Sequence, residues 1–61
     1  MISFDELFAH RIYLQDTSFD EFYIIKKLKE ILLNDEMNVT DINKYLVDFY
    51  SHFGYTISLE E

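Results

Sequence analysis

Apolar and aromatic residues recur at helical spacing in three successive segments of this chain, most regularly over residues 41–53. Six positions there fit the i, i+3, i+4, i+7, i+8, i+11 template: Ile42, Tyr45, Leu46, Phe49, Tyr50 and Phe53. Gly54, the only glycine of the chain, follows the last of them, where a left-handed residue commonly ends a helix. The pattern predicts an amphipathic helix over 41–53, with Asn38 or Thr40 as its N-cap.

Each of the two earlier segments opens with the string Ser-Phe-Asp-Glu, at residues 3–6 and again at 18–21. A serine N-cap accepts a hydrogen bond from a backbone N–H, and a glutamate three residues later reaches back to the cap. The acids also lie where the helix dipole favours negative charge. The string therefore predicts two helices that begin just after the serines, over about 4–14 and 19–33.

The first predicted helix has one broad apolar face with a charged residue in its middle. The face consists of Phe4, Leu7, Phe8, Ile12 and Leu14, and the polar run 15–17 then breaks the pattern. Arg11 lies within this face. We expect its stem to lie over the core and its guanidinium to pair with Asp48 or Glu21, or else to reach a partner molecule.

The second predicted helix is apolar on more than one side. Its main stripe is Ile24, Ile25, Leu28, Ile31 and Leu32, while Phe19, Tyr23 and Leu33 lie elsewhere on the circumference. Such a helix is usually the central one, packed against two neighbours. Alternatively, it presents its second side to another chain.

The C-terminal segment changes to a period of two, because Tyr55, Ile57 and Leu59 alternate with small polar residues. Without a sheet to join, this segment is expected to be an extended tail that lays the three side chains over the bundle. The alternative is a strand that pairs with another chain. The final Glu60-Glu61 is expected to fray.

Length and composition favour one small all-α domain over residues 1–61, a three-helix bundle with an extended C-terminal tail. The chain has 61 residues, no proline and no cysteine, so neither a disulfide nor a zinc–thiolate site supports it. Six Phe and five Tyr provide more aromatic surface than a core this small encloses. This surplus points to an interface with another protein or with a second copy.

The net charge of −7 argues against direct contact with a phosphate backbone and fits a partner with a basic surface. No apolar stretch is long enough to span a membrane and no signal-peptide pattern is present, so the cytoplasm is the expected location. The preference for Ile, Phe, Tyr, Lys and Asn suits an AT-rich genome, such as that of a bacterium or its phage.

Chemistry-bearing residues are few, and the chain is predicted not to be an enzyme. His10 and His52 lack a second ligand at i+3 or i+4, and a single glycine cannot form a phosphate loop. Adjacent acids on a helix point about 100° apart and do not converge as catalytic carboxylates do. No catalytic residue, cofactor or metal is therefore assigned.

The leading hypothesis is a small acidic regulator or inhibitor that occludes the surface of a partner protein. The residues expected to contact the partner are Arg11, Phe19, Tyr23, Tyr55, Ile57, Asp20 and Glu21. One alternative is a structural oligomerisation module. The other is a nucleic-acid mimic, with phosphates replaced by Asp5, Glu6, Asp20, Glu21, Asp35, Glu36, Asp41 and Asp48.

Overall fold

The computed structural model describes residues 1–59 and contains three α-helices of 14 residues each. They are α1 (Phe4–Thr17), α2 (Glu21–Asn34) and α3 (Val39–His52), and residues 1–59 contain no strand. The predicted all-α three-helix bundle with an extended tail is confirmed. Glu60 and Glu61, which were predicted to fray, lie outside the described residues. None of the three helices is long and apolar enough to cross a membrane.

The first helix begins as predicted but ends later, and this moves the start of the second. Ser3 caps α1, where its Oγ accepts from the Glu6 N–H at 3.2 Å. Ser18 does not cap α2, because α1 continues to Thr17 and the Ser18 N–H donates to its last turn. Asp20 is the N-cap of α2 instead and accepts from the N–H of the second residue of the helix at 3.0 Å. A polar run on an exposed face interrupts the apolar pattern without interrupting the backbone helix.

The third helix has both predicted signals at its ends. Asn38, and not Thr40, is the N-cap, with its Oδ1 accepting from the Asp41 N–H at 2.8 Å. At the other end Gly54 has φ +88°, and the Tyr55 N–H donates back to the Tyr50 carbonyl at 2.9 Å. This is the Schellman arrangement that a glycine at this position favours.

The second helix ends in the same arrangement, but with a glutamate in the left-handed position. Glu36 has φ +65°, its N–H donates to Leu33, and the Met37 N–H donates to Leu32 at 3.3 Å. Met37 packs against the core. A side chain in this backbone region is strained, and the apolar contact of Met37 helps to hold it there.

Eight residues form the buried core: Leu7, Ile24, Leu28, Leu32, Ile42, Leu46, Phe49 and Tyr50. The predicted main stripes of α2 and α3 are therefore correct. On α1, Ile12 was predicted on the core face, but 42% of its surface is exposed. Arg11 lies one helical turn after Leu7 and points toward the core. Because Ile12 is the next residue around the helix, it points outward.

Aromatic rings fill the space between α1 and α3. The Phe4 ring meets those of Tyr45 and Phe49 with centroids 5.1 and 5.7 Å apart, and Phe8 stacks on Phe53 at 4.5 Å. These rings keep the two backbones apart, whereas α2 packs closely against both of the other helices. α2 is therefore the central helix, as predicted, but its second apolar side is not packed against a neighbouring helix, because Phe19, Tyr23 and Leu33 are exposed.

The segment after α3 lies over the bundle in an extended conformation. Ile57 and Leu59 pack against the core, as predicted. Tyr55 remains 61% exposed, with its ring edge-on to Tyr50 at a centroid distance of 6.4 Å.

Candidate functional site

A cleft of about 250 Å³ opens between α1 and the C-terminal end of α3. Its walls are Phe8, Arg11, Ile12 and Gln15 from α1, and Phe49, Tyr50, Phe53 and Tyr55 from α3 and the turn that follows it. We call this the aromatic cleft. Five of its eight lining residues are aromatic, and Arg11 is the one charged residue among them.

The local sequence explains how these side chains meet. On α1 the lining residues are spaced i, i+3, i+4 and i+7, which places them along one side of a helix. On α3, Phe49 and Phe53 are one turn apart. The chain then reverses at Gly54, and this reversal places Tyr55 beside Tyr50.

Arg11 connects all three helices at this end of the bundle. Its Nη2 donates to Glu21 Oε1 at 2.7 Å, its Nη1 to Gln15 Oε1 at 3.0 Å, and its Nε to the Tyr50 hydroxyl at 3.3 Å. The predicted structural pairing of Arg11 is therefore found, with Glu21 as the acid and not Asp48. Three of the five guanidinium N–H donors are used in this way.

Tyr50 is the buried member of this cluster. Its hydroxyl donates to Glu21 Oε2 and accepts from Arg11 Nε. Burial and the hydrogen bond to Glu21 raise the pKa of Tyr50 to about 12, against the opposing effect of Arg11. The guanidinium carbon also lies 5.5 Å from the centroid of the Tyr50 ring. In this wall of the cleft the charge of Arg11 is therefore paired, and hydrogen bonds hold the Arg11 and Tyr50 side chains in place.

The structure brings together three of the predicted partner-binding residues. Arg11 and Glu21 are bonded to each other and to Tyr50, and Tyr55 lies against Tyr50 on the cleft side. Ile57 is further along the tail, half-buried against the core.

The other predicted contact residues lie elsewhere. Phe19 is fully exposed in the turn between α1 and α2, next to the cap Asp20. Tyr23 lies about 200° around α2 from Glu21, since the two are two residues apart, and it is partly exposed. The Lys27 ammonium lies 5.5 Å from the Tyr23 ring centroid.

Phe22 is 78% exposed and was not among the predicted contact residues. At about 100° per residue, Phe22 points away from Ile24, the first buried residue of α2. Its angular position on the helix was the signal that could have found it. Gln15 was also missed, because only the extension of α1 to Thr17 brings it into the same helix as Arg11.

A second, wider cleft of about 490 Å³ lies beside the connection between α2 and α3. Four acids line it, Asp35, Glu36, Asp41 and Asp48, together with Lys44 and three other residues, and we call it the acidic cleft. It collects acids from the α2–α3 connection and from two positions on α3 that are two turns apart. It is open and contains mixed charges.

Within residues 1–59 no group of three or more His, Asp or Glu side chains is arranged to hold a metal ion. His10 and His52 are exposed, as expected, and the His52 ring meets the Phe53 ring at 4.9 Å. Comparisons with protein-family models, curated proteins and solved structures find no match to this chain.

Proposed function

We propose that this protein is a small acidic binding protein that regulates or inhibits a partner protein by covering part of its surface. The observation that carries the proposal is the aromatic cleft, a recess in which five aromatic residues surround an ion-paired arginine on a strongly acidic molecule. The partner places one side chain in the recess and basic residues around it.

The size of the cleft favours a side chain over a free small molecule. At about 250 Å³ it is smaller than the roughly 300–1,000 Å³ typical of small-molecule sites. Recesses that accept one apolar or aromatic anchor are the usual binding hot spots between proteins. The bonds of Arg11 and Tyr50 hold the walls in place before binding, which lowers the entropy lost on association.

Charge supports a basic partner. Asp16 follows the cleft residue Gln15 in the chain, and Glu21 is bonded to the cleft residues Arg11 and Tyr50. The molecule as a whole carries −7. A negative field of this kind steers a basic surface toward the cleft and raises the association rate.

The titrating groups of the cleft support binding without chemical transformation. A general acid or base works best with a pKa near the working pH. The pKa of Tyr50 is raised to about 12 and Arg11 is always protonated, so neither group exchanges protons at neutral pH. As part of the same proposal the protein acts in the cytoplasm, because its lack of cysteine suits a reducing compartment.

Photo-crosslinking from two matched tyrosine positions tests the proposal. A photoreactive phenylalanine analogue replaces Tyr55 in the cleft, or Tyr13 on the other side of α1, in cells that make the protein natively. The two side chains are 61% and 68% exposed, so non-specific crosslinking affects them equally. We expect one protein to be crosslinked at position 55 and not at position 13. We also expect one equivalent of the wild-type chain to inhibit the activity of that protein after it has been purified. Equal crosslinking at the two positions would contradict the proposal.

A nucleic-acid mimic is the second candidate, and the acidic cleft favours it. Four carboxylates in one recess can stand in for phosphates toward a DNA- or RNA-binding protein. Contacts between charges weaken steeply with added salt, whereas an aromatic anchor keeps most of its affinity. Affinity for the crosslinked protein at low and high salt, together with the variant Asp41→Asn/Asp48→Asn, separates the two functions.

A further inference from the structure

The outer face of α2 has a groove, and an exposed aromatic side chain lies just before the helix. Phe19 is fully exposed just before the helix. One turn further on, Phe22, Ile25, Lys26 and Lys29 line a groove of about 130 Å³. These residues lie opposite the buried stripe of α2 or at its edge, and we call them the α2 groove.

The ring and the groove carry opposite charges. Asp20 directly follows Phe19, and only one of its carboxylate oxygens is used in capping α2. Lys26 and Lys29 form no ion pair within residues 1–59, whereas Lys27 pairs with Glu30 at 3.3 Å. An acidic residue therefore follows the exposed ring just before α2, and a basic recess lies on the first turns of the helix.

The two features cannot meet within one chain, but they can meet between two copies. Because Phe19 is fully exposed, its ring does not fill its own groove. The middle of the groove is about seven residues further along, roughly 10 Å at the rise of a helix. A two-fold axis near Phe22 with the two α2 helices antiparallel places each Phe19 ring over the groove of the other copy.

We propose that a second copy of this chain docks on the outer face of α2, with Phe19 of each copy in the α2 groove of the other and Asp20 beside Lys26. The apolar stems of the two groove lysines pack along the inserted ring while their ammonium groups remain in water. The contact is small, well below the roughly 1,200 Å² of a standard interface, so the dimer dissociates readily. The aromatic cleft is lined by α1, α3 and the following turn, and it stays open in this dimer.

Sedimentation equilibrium of the full chain from about 10 μM to about 1 mM measures this association. We expect a reversible dimer, and Phe19→Ala to raise its dissociation constant at least tenfold, as for a central aromatic contact. The fold should survive the substitution because Phe19 is fully exposed, and circular dichroism checks this. Tyr13→Ala removes another exposed ring, 68% accessible, from a different helix and should change the constant less than twofold.

Mixing two defective variants tests the reciprocal geometry. Phe19→Ala lacks the ring, and Lys26→Glu sets a negative charge against Asp20. A dimer of one copy of each keeps one native contact, whereas either variant alone keeps none. Because both defects of the mixed dimer fall on the same contact, where their effects overlap, its association free energy should be more favourable than the average for the two variants.

Four results would overturn the inference. Three are a monomer at about 1 mM, a dimer with an unchanged constant in Phe19→Ala, and a mixture whose association free energy is no more favourable than the average of its components. The fourth is a dimer broken by Tyr55→Ala and not by Phe19→Ala, which would place self-association at the aromatic cleft. The proposed function is tested separately, because it requires a different protein, and not a second copy of this chain, to be crosslinked at position 55.

Discussion

Arg11 is a charged residue in an apolar stripe, and hydrogen bonds to Gln15, Glu21 and the Tyr50 hydroxyl hold it in place. The sequence predicted a nearby acid, because a helix that buries an arginine stem must place its charge, and Glu21 was one of two candidates. It did not predict the Tyr50 hydroxyl as the third member. That contact depends on how α1 and α3 pack at this end of the bundle. The residue spacing within either helix does not reveal this packing.

A double-mutant cycle measures the coupling between Arg11 and Glu21. With Arg11→Met and Glu21→Gln, urea unfolding should give a coupling of about 1 kcal/mol, since the pair is only partly exposed and shares Tyr50. The more exposed pair Lys27–Glu30, cycled in the same way, should give about 0.3 kcal/mol. Equal coupling in the two cycles would show that the cluster adds nothing beyond a surface ion pair.

Tyr50 should ionise well above the ordinary tyrosine range. Its folded pKa of about 12 exceeds the ordinary value of 10.0, so its contribution to stability is complete below pH 10 and disappears as the pH rises through 12. The difference corresponds to at most about 3 kcal/mol. Burial also raises the pKa of Tyr45, so the diagnostic signal is a tyrosinate absorbance step above pH 10 that Tyr50→Phe removes. Loss of absorbance near pH 10, and not above it, in Tyr50→Phe would contradict the hydrogen-bonded, buried hydroxyl.

At the level of the helices, α2 and α3 both end in a Schellman motif, but different residues occupy the left-handed position. Gly54 is free of strain at φ +88°, while Glu36 is strained at φ +65°. We expect Glu36→Gly to stabilise the protein by about 0.5–1 kcal/mol. Gly54→Ala should destabilise it by about 1 kcal/mol through the backbone alone, since no atom lies within 4 Å of the added Cβ. Thermal unfolding checks both signs, and the same sign for both substitutions would refute the assignment.

The helices themselves were largely predictable, and their boundaries were less so. Periodicity identified the three helices and all eight buried residues of the core, because burial requires apolar residues on one face. It placed the start of α2 two residues early, because both Ser18 and Asp20 are good caps and only the length of α1 decides between them. The inward Arg11 likewise displaced Ile12 from the face that the pattern assigned to it.

For the whole molecule, the small size of the chain implies a low free energy of unfolding. A chain of 61 residues is expected to unfold with about 3–9 kcal/mol. Leu28→Ala removes a fully buried side chain and should lower this by about 2–5 kcal/mol, enough to leave part of the population unfolded at room temperature. Leu33→Ala, on the same helix but 50% exposed, should lower it by less than about 1 kcal/mol. Similar losses in chemical denaturation would mean that the core is not where the structure places it.

Only part of the candidate site was accessible from the sequence. Arg11, Glu21 and Tyr55 were singled out from pattern and chemistry, and the fold brings them to one end. The cleft itself was not foreseen, because its two walls come from residues at least 34 positions apart, such as Phe8 and Phe53, whose distance is set only by the packing of the bundle. Tyr23 was predicted as a contact residue because it is an aromatic residue on the second apolar side of α2. It lies on a different side of that helix from Glu21 and therefore points away from the aromatic cleft.

The most direct test of the account is the affinity of the crosslinked partner for two alanine variants, measured by calorimetry. Tyr55→Ala removes a cleft wall and should weaken binding by at least about 2 kcal/mol, roughly thirtyfold. Tyr13→Ala removes a ring of similar exposure outside the cleft and should leave the dissociation constant within twofold. Equal losses for the two variants, or a loss confined to Tyr13→Ala, would contradict the claim that this protein recognises its partner through the aromatic cleft.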